Sequence, residues 1–461
     1  MKRTAIEIVR KLRQAGFQAY WVGGCVRDLV MGHSPTDYDI ATSATPEELF
    51  HLFPRGLAVG AQFGVVIIPE EGNLYEVATF RSEEKYTDGR HPDRVRYTLD
   101  PREDVQRRDF TINGLLYDPL EEEVIDYVGG QSDIHSRIIR TIGDPWRRFE
   151  EDRLRLIRAV RFAARFDYQI ETNTWQALSE LAPNIEQVSP ERIRDELIKI
   201  LTQGYAARGM TLLDSCGLLR IILPEITHLH GVEQPPEFHP EGDVWIHTIL
   251  MLGLMDQRTL EGRREPSSDS LEESGPNPPS SLSSYPSPTL ALGVLLHDIG
   301  KPETFERSDR IRFNNHPEVG SRMAVGICER LRFPTRQVAR ISELVRDHLR
   351  FKDVPQMKLS TLKRFLRRDG FAEHLELHRL DCLSSHRNLA TWQFLTEKMN
   401  EMGPEETRPK PLLSGNDLIR LGFLPGPRFK EILKSVEDAQ LDNVVSSEEE
   451  ATKFVLEHFS R

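Results

Sequence analysis

Two carboxylates stand two positions apart, at Asp37 and Asp39, in a run whose residues predict a β-strand over 37–42. Side chains two apart on a strand point to the same face, so these carboxylates should converge. Converging carboxylates repel unless a cation lies between them, and Mg²⁺ prefers carboxylate and phosphate oxygens. Such ions can activate a hydroxyl and stabilise a leaving pyrophosphate. The pair points to metal-dependent nucleotidyl transfer, although this spacing in isolation is more often a solvated turn.

A pair of glycines, Gly23 and Gly24, lies upstream, between a predicted strand over 19–22 and a predicted helix that Gly32 closes. Glycines there let backbone N–H groups approach a triphosphate at the start of a helix. Arg27 lies one turn into that helix, where its guanidinium could hold a phosphate. The remaining predicted elements of this mixed α/β region are strands over 64–68 and 74–80 and a helix over 4–16.

The run VGGCVRDLVMGHSPTDYDIAT, residues 22–42, resembles the active-site signature of class II template-independent nucleotidyltransferases. That family comprises the tRNA CCA-adding enzymes and the bacterial poly(A) polymerases, within the DNA polymerase β superfamily. The resemblance implies that Asp37 and Asp39 are catalytic and hold Mg²⁺. EVATFR (76–81) resembles the strand with the family's third catalytic carboxylate, which would be Glu76.

Further segments extend the resemblance. QRRDFTINGLLYD (106–118) resembles the motif that holds ribose and triphosphate. The implied nucleotide-binding residues of this region are Gly23, Gly24, Arg27, Arg108, Asp109 and Asn113. YTDGRHPDRV (86–95) resembles the family's flexible loop, and SPERIRDEL (189–197) resembles an element that stabilises the neck.

EEDRLRLIRAVRF (150–162) resembles the family's nucleotide-selecting helix. Asp152 and Arg155 are three apart, so on one helix they would face the same way. A carboxylate beside a guanidinium offers acceptors and forked donors, as side chains that read base edges do. In the family this pair reads CTP and ATP, and Arg158 matches the third position of the motif. Without that context, a surface ion pair is the commoner outcome.

A second constellation lies downstream. His247 is followed by the pair His297 and Asp298 and, much later, by Asp381. Imidazole and carboxylate ligands together suit several divalent metals. The order resembles the metal set of the HD phosphohydrolase superfamily, and His316 and His348 match extra histidines that could hold a second metal. The resemblance implies a divalent ion of open identity, with phosphatase or 2′,3′-cyclic phosphodiesterase activity.

These segments predict an α+β nucleotidyltransferase head of the DNA polymerase β superfamily, followed by an all-α neck, body, HD domain and tail. Fifteen of the 23 residues over 266–288 are Ser or Pro, which is typical of a flexible segment without a core. The predicted domains are a head (1–140), an RNA-binding neck and body (141–235), an HD domain with a flexible Ser/Pro insertion at 257–289 (236–400), and a helical tail (401–461).

Composition limits the class of protein. The 461 residues contain no stretch near the roughly 18 apolar residues of a membrane helix. The N-terminus is charged throughout, which argues against a secretory signal, and four scattered cysteines argue against a disulfide framework. We therefore expect a cytoplasmic protein without a membrane partner. The net charge is −12, so RNA would need a local basic patch, for which the seven arginines over 147–165 are a candidate.

The leading hypothesis is addition of CCA to tRNA 3′ ends from CTP and ATP. The 86–95 loop argues against CC-only addition, and VGAQFGVV (59–66) favours the tRNA enzymes over poly(A) polymerases. An A-adding tRNA enzyme and a poly(A) polymerase remain alternatives. From another class, the chain could be an HD phosphohydrolase whose head only binds RNA, or a pure RNA-binding scaffold. The sequence leaves the oligomeric state open.

Overall fold

The structure is a computed structural model that describes residues 1–58, 64–84, 94–261 and 286–460. It separates into two compact units, Met1–Thr227 and His228–Arg461. Most of the 86–95 loop and of the 59–66 run lies outside the described residues, as does 262–285 within the predicted insertion. In the described part of the chain, no helix is both long and apolar enough to cross a bilayer.

The first unit is organised around a six-stranded sheet in the order β3-β4-β2-β1-β7-β8. Its strands are β1 (Ala19–Val22), β2 (Asp39–Thr42), β3 (Val65–Glu70), β4 (Asn73–Thr79), β7 (Leu115–Asp118) and β8 (Glu123–Asp126). Two separate two-stranded sheets are formed by β5 (Arg81–Glu84) with β6 (Arg94–Tyr97) and by β9 (Ile138–Ile139) with β10 (Gln169–Ile170). Within the large sheet β2 and β4 run parallel, and the other pairs are antiparallel. Buried side chains of Trp21, Ile40 and Val77 form part of its core.

The helices of the first unit flank this sheet and then continue without a further large sheet. They are α1 (Lys2–Gln14), α2 (Gly24–Val30), α3 (Pro46–Leu52), α4 (Pro101–Gln106), α5 (Gly130–Ser136), α6 (Pro145–Glu151), α7 (Leu154–Phe166), α8 (Thr172–Leu181), α9 (Pro190–Thr202), α10 (Ala206–Ser215), α11 (Leu218–Ile222) and α12 (Pro224–Thr227). Helix α7 buries its apolar stripe against α9 and α10. The predicted α+β head followed by helical regions is confirmed.

The second unit is helical, apart from a short antiparallel pair, β11 (Phe305–Arg307) and β12 (Ile311–Phe313). Its helices are α13 (Val244–Glu261), α14 (Pro288–Leu296), α15 (His316–Arg330), α16 (Thr335–Asp347), α17 (Leu359–Leu366), α18 (Phe371–Ser384), α19 (Ala390–Glu401), α20 (Pro404–Thr407), α21 (Gly415–Arg420), α22 (Arg428–Leu441) and α23 (Glu448–His458). Helices α13 and α14 extend into both ends of the 257–289 segment that the sequence predicts as flexible. All four cysteines are buried and free.

Candidate active site and metal centre

A cavity of about 910 Å³ opens in the first unit, and its wall is almost entirely polar. Every residue that the sequence assigns to the head and to the nucleotide-selecting segment lines it: Gly23, Gly24, Arg27, Asp37, Asp39, Glu76, Arg108, Asp109, Asn113, Asp152, Arg155 and Arg158. Asp28, Thr36, Arg107, Arg161, Phe162, Arg165 and Lys199 complete the lining. The fold therefore brings together segments more than 100 residues apart in the sequence.

The acidic side of the cavity is built by two parallel strands. Ile40 pairs with Val77, so Asp39 on β2 and Glu76 on β4 lie at the same level of the sheet. Asp37 precedes β2, and its carboxylate contributes to the field at Asp39. Burial, followed by the nearby charges of Glu76 and Asp37, raises the pKa of Asp39 from 3.8 to about 6. A divalent cation would relieve this repulsion, so the donor set fits a metal of the Mg²⁺ type.

The glycine turn follows β1, whose last residue, Val22, pairs with Asp39 on the neighbouring strand. Gly23 has φ +69°, a backbone conformation that favours glycine, and it precedes the first turn of α2. Arg27 on α2 is buried, and its guanidinium donates to Asn113 Oδ1 at 2.8 Å and to Asp28 Oδ1 at 2.7 Å. Sequence reasoning missed Asp28, whose carboxylate forms an ion pair with Arg27.

Asp109 is held by two side chains that also line the cavity. Its Oδ2 accepts from Arg158 Nη2 at 2.7 Å, and its Oδ1 accepts from Asn113 Nδ2 at 3.1 Å. Burial alone would raise the pKa of Asp109, but the Arg158 ion pair and these hydrogen bonds outweigh it and lower the pKa to about 2. Arg158 is thereby oriented from α7 into the cavity.

This pKa predicts a pH-dependent contribution to stability. Because the folded pKa of Asp109 lies below its ordinary value of 3.8, the contribution is present above about pH 4 and is lost as pH falls toward 2. A difference of nearly two pKa units corresponds to about 2 kcal/mol. We expect Asp109→Asn to destabilise the first unit at pH 7, with the gap from the native chain shrinking below pH 4. Urea unfolding, followed by pulsed hydrogen exchange of peptides from α7, measures the difference in unfolding free energy between the variant and the native chain. A difference that does not change with pH would contradict this prediction.

The helix predicted to hold Asp152 and Arg155 on one face is interrupted between them. Helix α6 ends at Glu151, Asp152 is extended (φ −140°), and α7 begins at Leu154. The premise of a shared helical face is therefore wrong. Asp152 accepts the backbone N–H of Leu154 at 3.2 Å, as an N-cap side chain does, and a side-chain ion pair with Arg192 on α9 at 3.1 Å holds it at the cavity.

Arg155 is 8% exposed and holds three groups. Its Nη2 donates to the carbonyl of Arg107 at 2.9 Å, and its Nη1 donates to the carbonyl of Arg148 and to Glu151. Arg148 similarly donates from Nη2 to the carbonyl of Gln106 at 2.5 Å. The residues just before Arg108 and Asp109 are thus attached to α6 and α7.

A buried carboxylate that sequence reasoning missed organises the basic side of the cavity. Glu196 on α9 is 3% exposed. Its carboxylate lies 2.6 Å from Arg161 Nε, 3.0 Å from Lys199 Nζ and 3.9 Å from Arg158 Nη1. Arg165 also lines the cavity and has no ion-pair partner among the residues that the structure describes. The resulting surface suits the phosphates of a nucleotide or an RNA end.

In the second unit, a chain of buried ligand groups joins the six residues that the sequence assigns to a metal centre. His247 Nε2 lies 3.3 Å from Asp381 Oδ1, and its ring centroid is 5.3 Å from that of His297. Asp298 uses both oxygens: Oδ2 lies 3.0 Å from His297 Nε2, and Oδ1 lies 3.4 and 3.7 Å from the Nε2 atoms of His316 and His348. Sets of three donor atoms within 4.8 Å occur here.

The electrostatics of this cluster fit a divalent ion. Burial opposes ionisation of Asp298, but His297 and Lys301 outweigh it and hold its pKa well below the ordinary range. Burial also lowers the pKa of His348 to about 3, so its imidazole is neutral, the form that binds metals. His247 Nε2 and His297 Nε2 are buried without a hydrogen-bond partner. Buried ring nitrogens that lie beside carboxylates are suitable ligands for a divalent ion.

Sequence reasoning missed two members of this cluster. His239 and Glu241 form a further potential ligand group with His247. Lys301 Nζ also lies 2.6 Å from Asp298 Oδ2 and donates to Gln234 Oε1 at 2.6 Å. The signal was available in HPEGDVWIH, where a histidine and a glutamate precede His247 by eight and six residues.

Three sequence families match successive parts of the chain. They are described as Poly A polymerase head domain over residues 19–140, Probable RNA and SrmB- binding site of polymerase A over 167–229, and HD domain over 286–378. The order agrees with a head, a helical RNA-binding region and an HD domain. The first and third families together imply that the chain depends on divalent metal ions.

Individual proteins with similar sequences are CCA-adding enzymes. One from Geobacillus sp. (strain WCH70) is 44% identical over 214 residues, which are 46% of this chain and 53% of that protein. One from Bacillus licheniformis is 38% identical over 274 residues, 57% of this chain and 68% of that protein. The alignments thus span from about half to two thirds of these relatives. The crystal structure of the Bacillus stearothermophilus CCA-adding enzyme in complex with CTP matches 98% of this chain and 96% of that chain, with a TM-score of 0.71 and 27% identity.

Proposed function

Because this chain belongs to the CCA-adding enzyme family, we propose that it adds C, C and A to the 3′ ends of tRNA from CTP and ATP, without a template and with release of pyrophosphate. The observation that carries the proposal is the polar cavity of about 910 Å³ in the first unit, which all the assigned residues of the head line together. Its acidic strand pair, glycine turn and arginine wall lie together in a space large enough for a nucleoside triphosphate.

The residues of the cavity divide the work. Asp37, Asp39 and Glu76 would hold Mg²⁺, which supplies neutralisation of the charge that develops on the phosphates. Arg108, with the backbone of Gly23 and Gly24 and with Arg27, would bind the triphosphate, and Asn113 and Asp109 would orient the ribose. The terminal 3′-hydroxyl of the tRNA attacks the α-phosphorus, and pyrophosphate leaves. Positioning and charge stabilisation account for most of the catalysis in such reactions.

Asp152 and Arg155 would select the base, with Arg158 beside them. Asp152 offers carboxylate oxygens at the cavity wall, where Arg192 steadies them. Arg155 shares its donors with Glu151 and backbone carbonyls, so a base would have to compete for them or induce a shift. The arginines over 147–165 supply the local positive charge that a chain of net charge −12 needs for RNA.

For the second unit we propose a phosphohydrolase centre in which His247, His297, Asp298 and Asp381 hold one divalent ion, with His316 and His348 available to a second. The orphaned, buried Nε2 atoms of His247 and His297 support it. Its substrate would be a phosphate ester such as a 2′,3′-cyclic phosphate. The four free cysteines support a reducing, cytoplasmic location.

The proposal is tested with a tRNA transcript lacking CCA, Mg²⁺, and CTP alone, ATP alone or both, beside a tRNA that ends in CC. We expect addition of CCA followed by arrest when both nucleotides are present. Addition of a single A to the CC-ending tRNA alone would make the chain an A-adding enzyme. Long A tails on unrelated RNA would make it a poly(A) polymerase, and tRNA binding without incorporation would leave an RNA-binding scaffold.

A further inference from the structure

The four histidines of the second metal centre are held in two different ways. His297, His316 and His348 each bring Nδ1 within 2.7–2.9 Å of a backbone carbonyl three residues earlier. His247 instead brings Nδ1 within 2.6 Å of a carboxylate oxygen, Glu241 Oε1. In both arrangements Nε2 faces the carboxylates of the cluster. Among these four histidines, His247 is the one whose described Nδ1 partner is a charged group.

The contact shows that Nδ1 of His247 carries a proton. An ionised carboxylate only accepts hydrogen bonds, so His247 Nδ1 must be the donor, and a neutral imidazole then has its lone pair on Nε2. The same Oε1 also lies 2.9 Å from His239 Nδ1, so one oxygen orients two imidazole rings. The side chain of His247 is fully buried, and that of Glu241 is 7% exposed.

The local backbone is shaped to deliver Glu241 to this place. Gly242 has φ +133°, a conformation that other residues rarely adopt, and it connects Glu241 to Asp243, the residue before α13. Asp243 then caps α13 by accepting the N–H of Ile246 at 2.8 Å, and it also accepts the N–H of Gly231 at 2.7 Å. Glu241 is therefore fixed from the side of its own backbone as well as by the histidines.

We propose that Glu241 is the positioning residue of this metal centre: it holds His247 in the tautomer that presents Nε2 to a divalent ion, and its charge makes His247 a stronger ligand than the carbonyl-bound histidines. The inference rests on the proposed metal centre of the second unit and is independent of nucleotide addition. Removing such an outer partner typically weakens metal binding 10–100-fold.

The test titrates the full-length, metal-free chain with Ni²⁺, an ion that imidazole ligands suit. The site is identified as the binding step that Asp298→Ala removes. We expect Glu241→Ala to raise the Kd of that step 10–100-fold and, because it leaves a buried imidazole N–H without its acceptor, to lower the melting temperature of the metal-free chain as well. Glu241→Gln, which retains an uncharged oxygen acceptor, should fall between Glu241→Ala and the native chain. Glu237→Ala, an exposed carboxylate four residues earlier, is the matched control and should bind as the native chain does.

An unchanged Kd in Glu241→Ala would overturn the inference, as would a loss of affinity that Glu237→Ala shares. A Glu241→Gln variant as weak as Glu241→Ala, with a lowered melting temperature in both metal-free chains, would assign Glu241 a structural role and overturn it as well. If the native chain shows no binding step that Asp298→Ala removes, the metal centre itself is wrong. That outcome differs from failure of the inference alone.

Discussion

Replacing Asp37 or Asp39 with alanine is expected to lower nucleotide incorporation into tRNA by at least about 10³-fold. Each variant removes a carboxylate from the acidic side of the cavity, where burial and the neighbouring charges already raise the pKa of Asp39. Metal-based charge stabilisation is worth several kcal/mol, and each 1.4 kcal/mol is a factor of ten in rate. Single-turnover incorporation of CTP and ATP, at saturating tRNA, measures the change directly.

A matched control is Glu70→Gln, at the exposed end of β3 and outside the cavity, which should incorporate nucleotides at the native rate. The variants should also keep native amide hydrogen exchange in α7 and α9, which shows that the first unit remains folded. Incorporation that survives Asp39→Ala at more than a tenth of the native rate would argue against the proposed site. Hydrolysis of a phosphate ester that survives Asp37→Ala and Asp39→Ala but is lost in His297→Ala, in a chain without incorporation, would favour the phosphohydrolase alternative.

Glu196→Ala is expected to destabilise the first unit by about 3–5 kcal/mol, because it leaves the largely buried Arg161 without its carboxylate partner. Arg158 and Lys199 lose the same partner. The effect should be local: amide hydrogen exchange should accelerate in α7 and α9, the two helices that Glu196 joins to each other. Incorporation should fall as well, because Arg158 and Arg161 line the cavity.

Asp195→Ala on the same helix is the control. Asp195 pairs with Arg194 at the surface, where ion pairs contribute about 0–1 kcal/mol, so exchange in α7 should stay native. Glu196→Gln should be intermediate, because an amide oxygen still accepts from Lys199. Native exchange rates in Glu196→Ala would show that this carboxylate does not hold the arginine wall together.

Much of the head could be predicted from local pattern. The apolar run over 19–22 is β1, and the strand predicted over 37–42 is β2, shortened to Asp39–Thr42. The shortening has a simple cause: β1 is four residues long, and its last pair is Val22 with Asp39. Beyond Val22 the chain turns at Gly23, so Asp37 has no strand to pair with. Glycine position and hydrophobic alternation suffice for such features.

The break at Asp152 shows the limit of a prediction that rests on helical periodicity alone. Helical periodicity continues through the segment, but aspartate competes with the helix by accepting backbone N–H groups, and here it accepts that of Leu154. This hydrogen bond is local in the sequence, so the break in the helix was predictable from the aspartate itself. The partner of Arg161 is of another kind. Glu196 meets Arg161 across 35 residues, so only three-dimensional packing reveals that contact, whereas Glu241 lies six residues before its partner His247.

The attachment of residues 106 and 107 to Arg148 and Arg155 is made through carbonyl oxygens. Every amino acid supplies a carbonyl, so these two hydrogen bonds set no requirement on the side chains at 106 and 107. Substitution at either position preserves the acceptor, whereas even lysine at 148 or 155 loses the forked geometry of arginine. The side chain of Arg107 has a separate role, because it pairs with the buried Asp104 and lines the cavity. Sequence drift should therefore be free at Gln106 and strongly limited at Arg148 and Arg155. An alignment of relatives would undervalue Gln106, although it lies within the connection between the triphosphate-binding and base-selecting segments.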